Sequence, residues 1–273
     1  MIVSPILYIC FISDIMSQMK GLGFMKENKY DDQRFFQKYS EMTRSRQGLA
    51  GAGEWPELQK LLPDFQGLSV LDLGCGYGWH CKYAADHGAA CVLGTDISHK
   101  MLETAAQRNP GPNIEYRLAA MEDLEFPDAS FDLVLSSLAL HYVADFGTLV
   151  QKISRWLKAD GQFIFSVEHP VFTAYGSQDW YYDEQGNILH FPVDRYYLEG
   201  QRTAMFLGEQ VTKYHRTLTT YLEGLLANGF QLQHIIEPQP PEHMMDLPGM
   251  ADELRRPMML LVSAQKARSI GIC

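Results

Sequence analysis

Short apolar runs alternate with amphipathic stretches along most of this chain, and that rhythm predicts its elements. SVLDL, residues 69–73, is apolar, partly β-branched and stopped by glycines, which is how a strand buried on both faces of a parallel sheet reads. GWHCKYAADHG follows as a helix ending at Gly88, and CVLGTD, residues 91–96, is the next strand. SHKMLETAAQRN reads as a helix capped by Ser98, NIEYRLA as a strand, and FDLVLSSL from Phe131 as another. The stretch VADFGTLVQKISRWLKAD predicts a helix ending near Gly161, and QFIFSVEH a strand reaching His169. Strands alternating with helices at this spacing predict a Rossmann-like α/β fold, with a parallel sheet and helices on both faces.

Flanking segments depart from the rhythm. Residues 30–48 are polar and aromatic, and EWPELQKLLPDF suggests a helix turning at Pro63, so a helical lead-in precedes the first strand. After Pro170 the alternation stops for some forty residues rich in Trp, Tyr, Asp and Gly, then returns with the helix HRTLTTYLEGLLANG and the strands FQLQHIIEP and RPMMLLVSAQK. An interruption that long inside a compact domain is more often a functional cap than a featureless loop. Residues 170–212 are therefore expected to be a substrate-cap insertion after strand 5, within one domain spanning residues 30–273. The apolar run in residues 1–29 is too short for a spanning helix, which needs ~20 residues, and has no basic residue before it. It reads as a loose tail or an over-called start, with translation beginning at Met16 or Met19.

Composition narrows the function classes. The 273 residues are 46% apolar and 21% charged, with a formal net charge of −10. That balance argues against nucleic acid or a membrane surface as partner, because such binding rests on Lys and Arg. The five cysteines lack paired zinc-site spacing and read as reduced thiols of a cytoplasmic protein, with no metal. Oligomeric state is not legible in the sequence.

The chemistry concentrates at VLDLGCGYG, at the junction of the first strand and first helix. Glycines there let the backbone turn and a ligand approach exposed N–H groups. A dinucleotide fingerprint is G-x-G-x-x-G; here the third glycine's place is taken by Trp79, which disfavours a pyrophosphate. No Lys or Arg lies between Gly74 and Cys81 to meet a phosphate. Asp96, at the end of the second strand, stands where a carboxylate can accept from both hydroxyls of a bare ribose.

In these motifs, joined by AAMEDLEFP (residues 119–127) and FDLVLSSLALHYV, the chain resembles the class I S-adenosylmethionine-dependent methyltransferases, specifically the small-molecule, ubiquinone/menaquinone-type group. The likeness runs over residues 30–266. It implies a final strand, RPMMLLVSAQK, antiparallel to the rest. It also implies that S-adenosyl-L-methionine lies with its methionyl part along Asp72, Gly74, Cys75 and Gly76, and its ribose on Asp96. The adenine would lie between Ile97 and Met101 near Met121, Glu122 and Asp123, with Ser137 and Leu138 closing the methionine side. Upstream, Tyr39 and Arg44 or Arg46 would fold over the cofactor, one arginine pairing with the methionyl carboxylate.

Methyl transfer from a sulfonium to a small-molecule acceptor is an in-line displacement in which a base is optional. Candidates for that role are His141, Glu168 and His169, at carboxyl ends of strands, although each could equally be a satisfied structural group. His215, Arg216, Tyr196 and Tyr197 are further polar and aromatic candidates, while Trp180, Tyr181 and Phe191 would form a water-excluding lid or a small satellite core. Two other readings remain: an NAD(P)-dependent oxidoreductase on the same kind of sheet, and a non-catalytic cofactor-binding protein.

Overall fold

The computed structural model describes residues 26 and 28–268; residues 1–25, with Cys10 and the tail assigned there, and Cys273 lie outside them. Three short helices form the lead-in: α1 (Gln33–Ser40), α2 (Thr43–Gln47) and α3 (Trp55–Leu61). Then come β1 (Ser69–Leu73), α4 (Trp79–Asp86), β2 (Cys91–Asp96), α5 (His99–Arg108), β3 (Ile114–Leu118), β4 (Phe131–Ser137), α6 (Phe146–Trp156) and β5 (Leu157–Glu168). The predicted helix through LKAD is corrected: α6 stops at Trp156, and Leu157 already pairs with Phe131 of β4. Asp160 takes a positive φ of 62° where the two registers are rejoined.

Beyond β5 the chain forms α7 (Pro170–Ala174), the hairpin β6 (Tyr181–Tyr182) and β7 (Ile188–His190), and the hairpin β8 (Gly200–Phe206) and β9 (Glu209–His215). The second hairpin turns on Leu207 and Gly208, both at positive φ, the geometry of a tight two-residue turn that matches strand twist. The excursion thus runs to His215. The domain closes with α8 (Leu218–Ala227), β10 (Phe230–Ile236), α9 (Met250–Glu253) and β11 (Met259–Lys266).

Seven strands make one sheet in the order β10-β11-β5-β4-β1-β2-β3. β1 to β5 pair in parallel, and β11 runs antiparallel to both β5 and β10. Because side chains alternate across a strand, each central strand feeds two cores. Leu71, Val134, Phe163, Phe165 and Val262 pack with α6 and α8, while Val70, Leu133, Leu135, Ile164 and Leu261 pack with α3 and α4. Helices therefore cover both faces. A third, smaller core of Phe35, Ala204 and Val211 joins α1 to the β8–β9 hairpin, and Lys38 donates to the Leu207 carbonyl at 2.7 Å.

Candidate active site

β1 ends in a turn that only glycine accommodates. Gly74 has φ +72°, and a Cβ there would lie 2.4 Å from the Ala139 side chain. Gly76 has φ +53°, yet a Cβ on it would meet nothing within 4 Å: its open side faces a cavity. The Gly74 and Cys75 N–H groups both donate to the Thr95 carbonyl, tying this turn to the end of β2. The next residue, Asp96, accepts from Gly76 N–H through Oδ2 and from Ser98 N–H through Oδ1, each at 2.9 Å. Burial raises its carboxyl to about 6. Both oxygens keep a lone pair for a ligand.

The cavity, about 240 Å³, lies at the carboxyl ends of β1, β2, β4 and β5. In open α/β sheets this is the ligand crevice. Gly74, Cys75 and Gly76 line it from β1, and Asp96, Ile97 and Met101 from β2 and α5. Met121 and Glu122 come from the turn after β3, Ser137 and Leu138 from the end of β4, and Tyr39 and Arg44 from the lead-in. Leu138 is held at φ 52°, its N–H donating to the Ser166 carbonyl at 2.9 Å. Backbone strain of that kind concentrates at functional turns.

Four of the expected residues lie off the cavity. Asp72 is buried behind its wall, accepting from the Cys81 thiol at 3.3 Å. Arg46 is exposed, and Asp123 pairs with Lys26, which does line the cavity. His169 is spent on the fold: its Nδ1 caps α7 by accepting Val171 N–H at 3.0 Å, and its Nε2 lies 2.8 Å from Glu237.

Two polar groups at the cavity lack partners among the described residues. Trp79 Nε1 and Tyr77 OH are buried without a hydrogen bond, on residues that line it, and the buried Ser45 Oγ there faces the Tyr39 hydroxyl. Groups like these call for a ligand with polar ends. Arg44 reaches the cavity beside Glu54, which takes its guanidinium at 2.5 Å and lies 3.5 Å from Ser137 Oγ.

The end of the cavity below β4 and β5 is built differently. His141 is buried, its Nδ1 facing the Glu168 N–H at 3.5 Å, and burial lowers its imidazole to about 4, so it is neutral at pH 7. Glu168 ends β5. Burial works to raise its carboxyl, but His141, Lys213 and Gln178 outweigh that and hold it below the usual carboxylate range. Lys213, from β9, donates to Glu168 Oε1 at 2.5 Å and to Gln178 Oε1 at 2.9 Å, while Gln178 donates to Glu168 Oε2 at 2.7 Å. Above them the hydroxyls of Tyr30 and Tyr142 meet at 3.1 Å.

Sequence reasoning missed Tyr30, Tyr142, Phe206 and Lys213. For Lys213 a signal existed: Val211, Lys213 and His215 alternate on one buried face of β9, and a lysine inside such a pattern is unusual. Of the two arrangements expected for the aromatics of the excursion, lid or satellite core, the contacts are those of the second. Trp180 and Phe191 pack with Phe172 around the Arg256 guanidinium, 5.1, 4.9 and 4.5 Å from their rings, as a satellite core. Tyr181 is exposed and lies outside the cavity. His215 is bonded to Thr173 and the Tyr196 carbonyl, Arg216 to the Val143 and Ala144 carbonyls, and Tyr197 is 87% exposed.

A family model described as a methyltransferase domain matches residues 71–165, from β1 into β5. An S-adenosylmethionine-dependent methyltransferase from Mesorhizobium loti superposes with a TM-score of 0.74 at 45% identity, covering 80% of this chain and 100% of that one. The chain belongs to the S-adenosylmethionine-dependent methyltransferases. A Listeria monocytogenes chain described as a candidate member of the same class is 58% identical to this methyltransferase over 81% of its length and 100% of the other's, with a TM-score of 0.78. Ubiquinone biosynthesis O-methyltransferase from Neisseria meningitidis is 38% identical over 107 residues, 38% of this chain and 45% of that protein. The likeness to the ubiquinone-type group is thus confined to part of the methyltransferase. No helix of the described residues is long and apolar enough to cross a membrane.

Proposed function

We propose that this methyltransferase transfers a methyl group to a small organic acceptor by in-line displacement, with cofactor and acceptor sharing one cavity. The observation that carries this reading is the continuity of that cavity, from the Gly74–Gly76 turn and Asp96 to His141 and Glu168.

The donor half suits S-adenosylmethionine by its own chemistry. The two free lone pairs of Asp96 match adjacent ribose hydroxyls, and the open face of Gly76 lets a ligand approach the backbone. Ile97, Met101 and Met121 offer an apolar slot for adenine. The unpartnered Trp79 N–H, with Ser45 and the remaining guanidinium donors of Arg44, suits the amino-acid end. Arg46 and Asp123 are left out of the proposed contacts, and Asp72 acts from behind the wall. When bound, the cofactor supplies a methyl group on a sulfonium, whose departure as a neutral thioether needs no acid.

The chain's own work is alignment. Leu138, fixed by Ser166, and Tyr30 with Tyr142 hold the acceptor's nucleophile on the line of displacement, and such orientation is worth ~7–11 kcal/mol of the barrier. Where the nucleophile carries a proton, the Glu168 carboxylate and the neutral His141 can accept or orient it. His169, spent on capping α7, takes no part. Residues of β8 and β9, not the whole segment 170–212, roof the acceptor half through Phe206 and Lys213.

Calorimetry should detect 1:1 binding of S-adenosylhomocysteine and none of NADH, because Trp79 stands where a dinucleotide site needs glycine. Replacing Asp96 by Ala removes two hydrogen bonds to a charged acceptor, ~1.5–3 kcal/mol each, and should weaken binding at least tenfold. With tritiated methyl donor in cell extract, label should enter the low-molecular-mass fraction. Label only in protein or nucleic acid would refute the small acceptor.

A further inference from the structure

We infer that the acceptor is uncharged and that Glu168, Lys213 and Gln178 enforce this. The inference rests on the reading of the cavity's far end as the acceptor site. The three side chains close a ring of hydrogen bonds: ammonium to carboxylate at 2.5 Å, ammonium to amide oxygen at 2.9 Å, and amide N–H to the second carboxylate oxygen at 2.7 Å. The side chains of Lys213 and Glu168 are only 4% and 12% exposed, and both line the cavity.

Within the ring each charge has its counter-charge, and the amide fixes their relative position. One ammonium N–H and spare carboxylate lone pairs remain, enough to hydrogen-bond a neutral hydroxyl or amide but not to neutralise a full charge. A carboxylate-bearing acceptor would have to compete with Glu168 for Lys213, and a cationic one with Lys213 for Glu168. Either leaves a buried charge without its partner, which is far costlier than keeping the pair.

The other cations on the cavity wall are engaged at the donor end: Lys26 pairs with Asp123, and Arg44, beside Glu54, is the guanidinium proposed for the amino-acid end of the cofactor. The carboxylates of Asp96 and Glu122 lie at the donor end. Around the ring the walls are Val143, Phe206, Met258 and Met259, so the acceptor has an apolar body as well. Gln178 and Lys213 belong to the excursion after β5, which makes this segment the carrier of acceptor selectivity.

A charge series on one ring tests this directly. Benzyl alcohol, benzoate and benzylammonium are titrated into the protein saturated with S-adenosylhomocysteine, whose own binding is measured first. The wild type should bind the alcohol at least tenfold more tightly than either ion. K213M, leaving Glu168 alone, should shift preference at least tenfold from benzoate toward benzylammonium, and E168Q should shift it the opposite way. A wild type that does not rank the alcohol first overturns the inference, whether or not the variants fold; so does an unchanged ranking in folded variants. Loss of S-adenosylhomocysteine binding in the wild type would instead count against the cofactor reading, a separate failure.

Discussion

At the scale of single residues, Asp96 joins the glycine turn to α5 and meets the ligand cavity. Burial raises its carboxyl to about 6, so below that pH it carries a proton on an oxygen needed as acceptor. Affinity for S-adenosylhomocysteine should be level above pH 6 and fall below it by up to tenfold per pH unit, the limit for one proton. Asp96→Asn should bind weakly with no such dependence; titration calorimetry from pH 5 to 8 reads both. A wild-type profile as flat as the variant's would mean that Asp96 does not hold the ribose. The placement of Asp96 and Gly76 at the cavity was legible because it follows from local spacing, strand end and tight turn. Lys213 and Tyr30 were not, since β9 and the lead-in reach the cavity only through the packing of Phe35, Ala204 and Val211. His169 shows the converse: its place at a strand end suggested chemistry, but its ring is taken by the backbone of α7.

Elements are held in place by caps that also tie distant segments together. Ser98 accepts Met101 N–H at the start of α5 and donates to Asp31 at 2.6 Å, and Asp31 in turn accepts Lys100 N–H at 3.1 Å. One serine thus caps a helix and anchors the lead-in that carries Tyr30 and Tyr39 to the cavity. Ser98→Ala should cost ~1–2 kcal/mol, lowering Tm by several degrees in a chain of this size. It should also weaken S-adenosylhomocysteine binding, because the lead-in wall loosens; a drop in Tm with unchanged affinity would confine Ser98 to capping. The cap was readable in the sequence, as were β1, β2 and β4, whose continuous apolar runs allow little else. The end of α6 was not, because Lys158 to Asp160 is as polar as a helix terminus, and what makes it strand is the pairing of Leu157 with Phe131. The β8–β9 hairpin was equally hidden, its turn being formed by Leu207 and Gly208 without an Asn-Gly signature.

Across the whole molecule, buried titratable groups oppose one another. Burial raises Asp72 from an ordinary value near 3.8 to about 7, with the Cys81 thiol pulling it down and Asp96 pushing it up. Between those values the folded state holds a proton that the unfolded chain has lost, so this group makes stability fall as pH rises. His80 and His141 run the other way: burial lowers both from about 6.5 to about 4, the folded state binds fewer protons there, and stability falls as pH drops through that interval. Asp96, raised by burial to about 6, adds to the slope of Asp72, so the two carboxyls oppose the two imidazoles and leave the wild type with a shallow profile up to about pH 6. Removing one component exposes the balance. In Asp72→Asn the stability difference from wild type should shift in the variant's favour from pH 4 to 7, by up to about 1.4 kcal/mol per unit, and level off above. Urea unfolding at closely spaced pH values measures that difference directly. A difference that stays constant across the interval would show that Asp72 titrates in the folded protein as it does in the open chain, and that the wall behind the glycine turn is wetter than its packing implies.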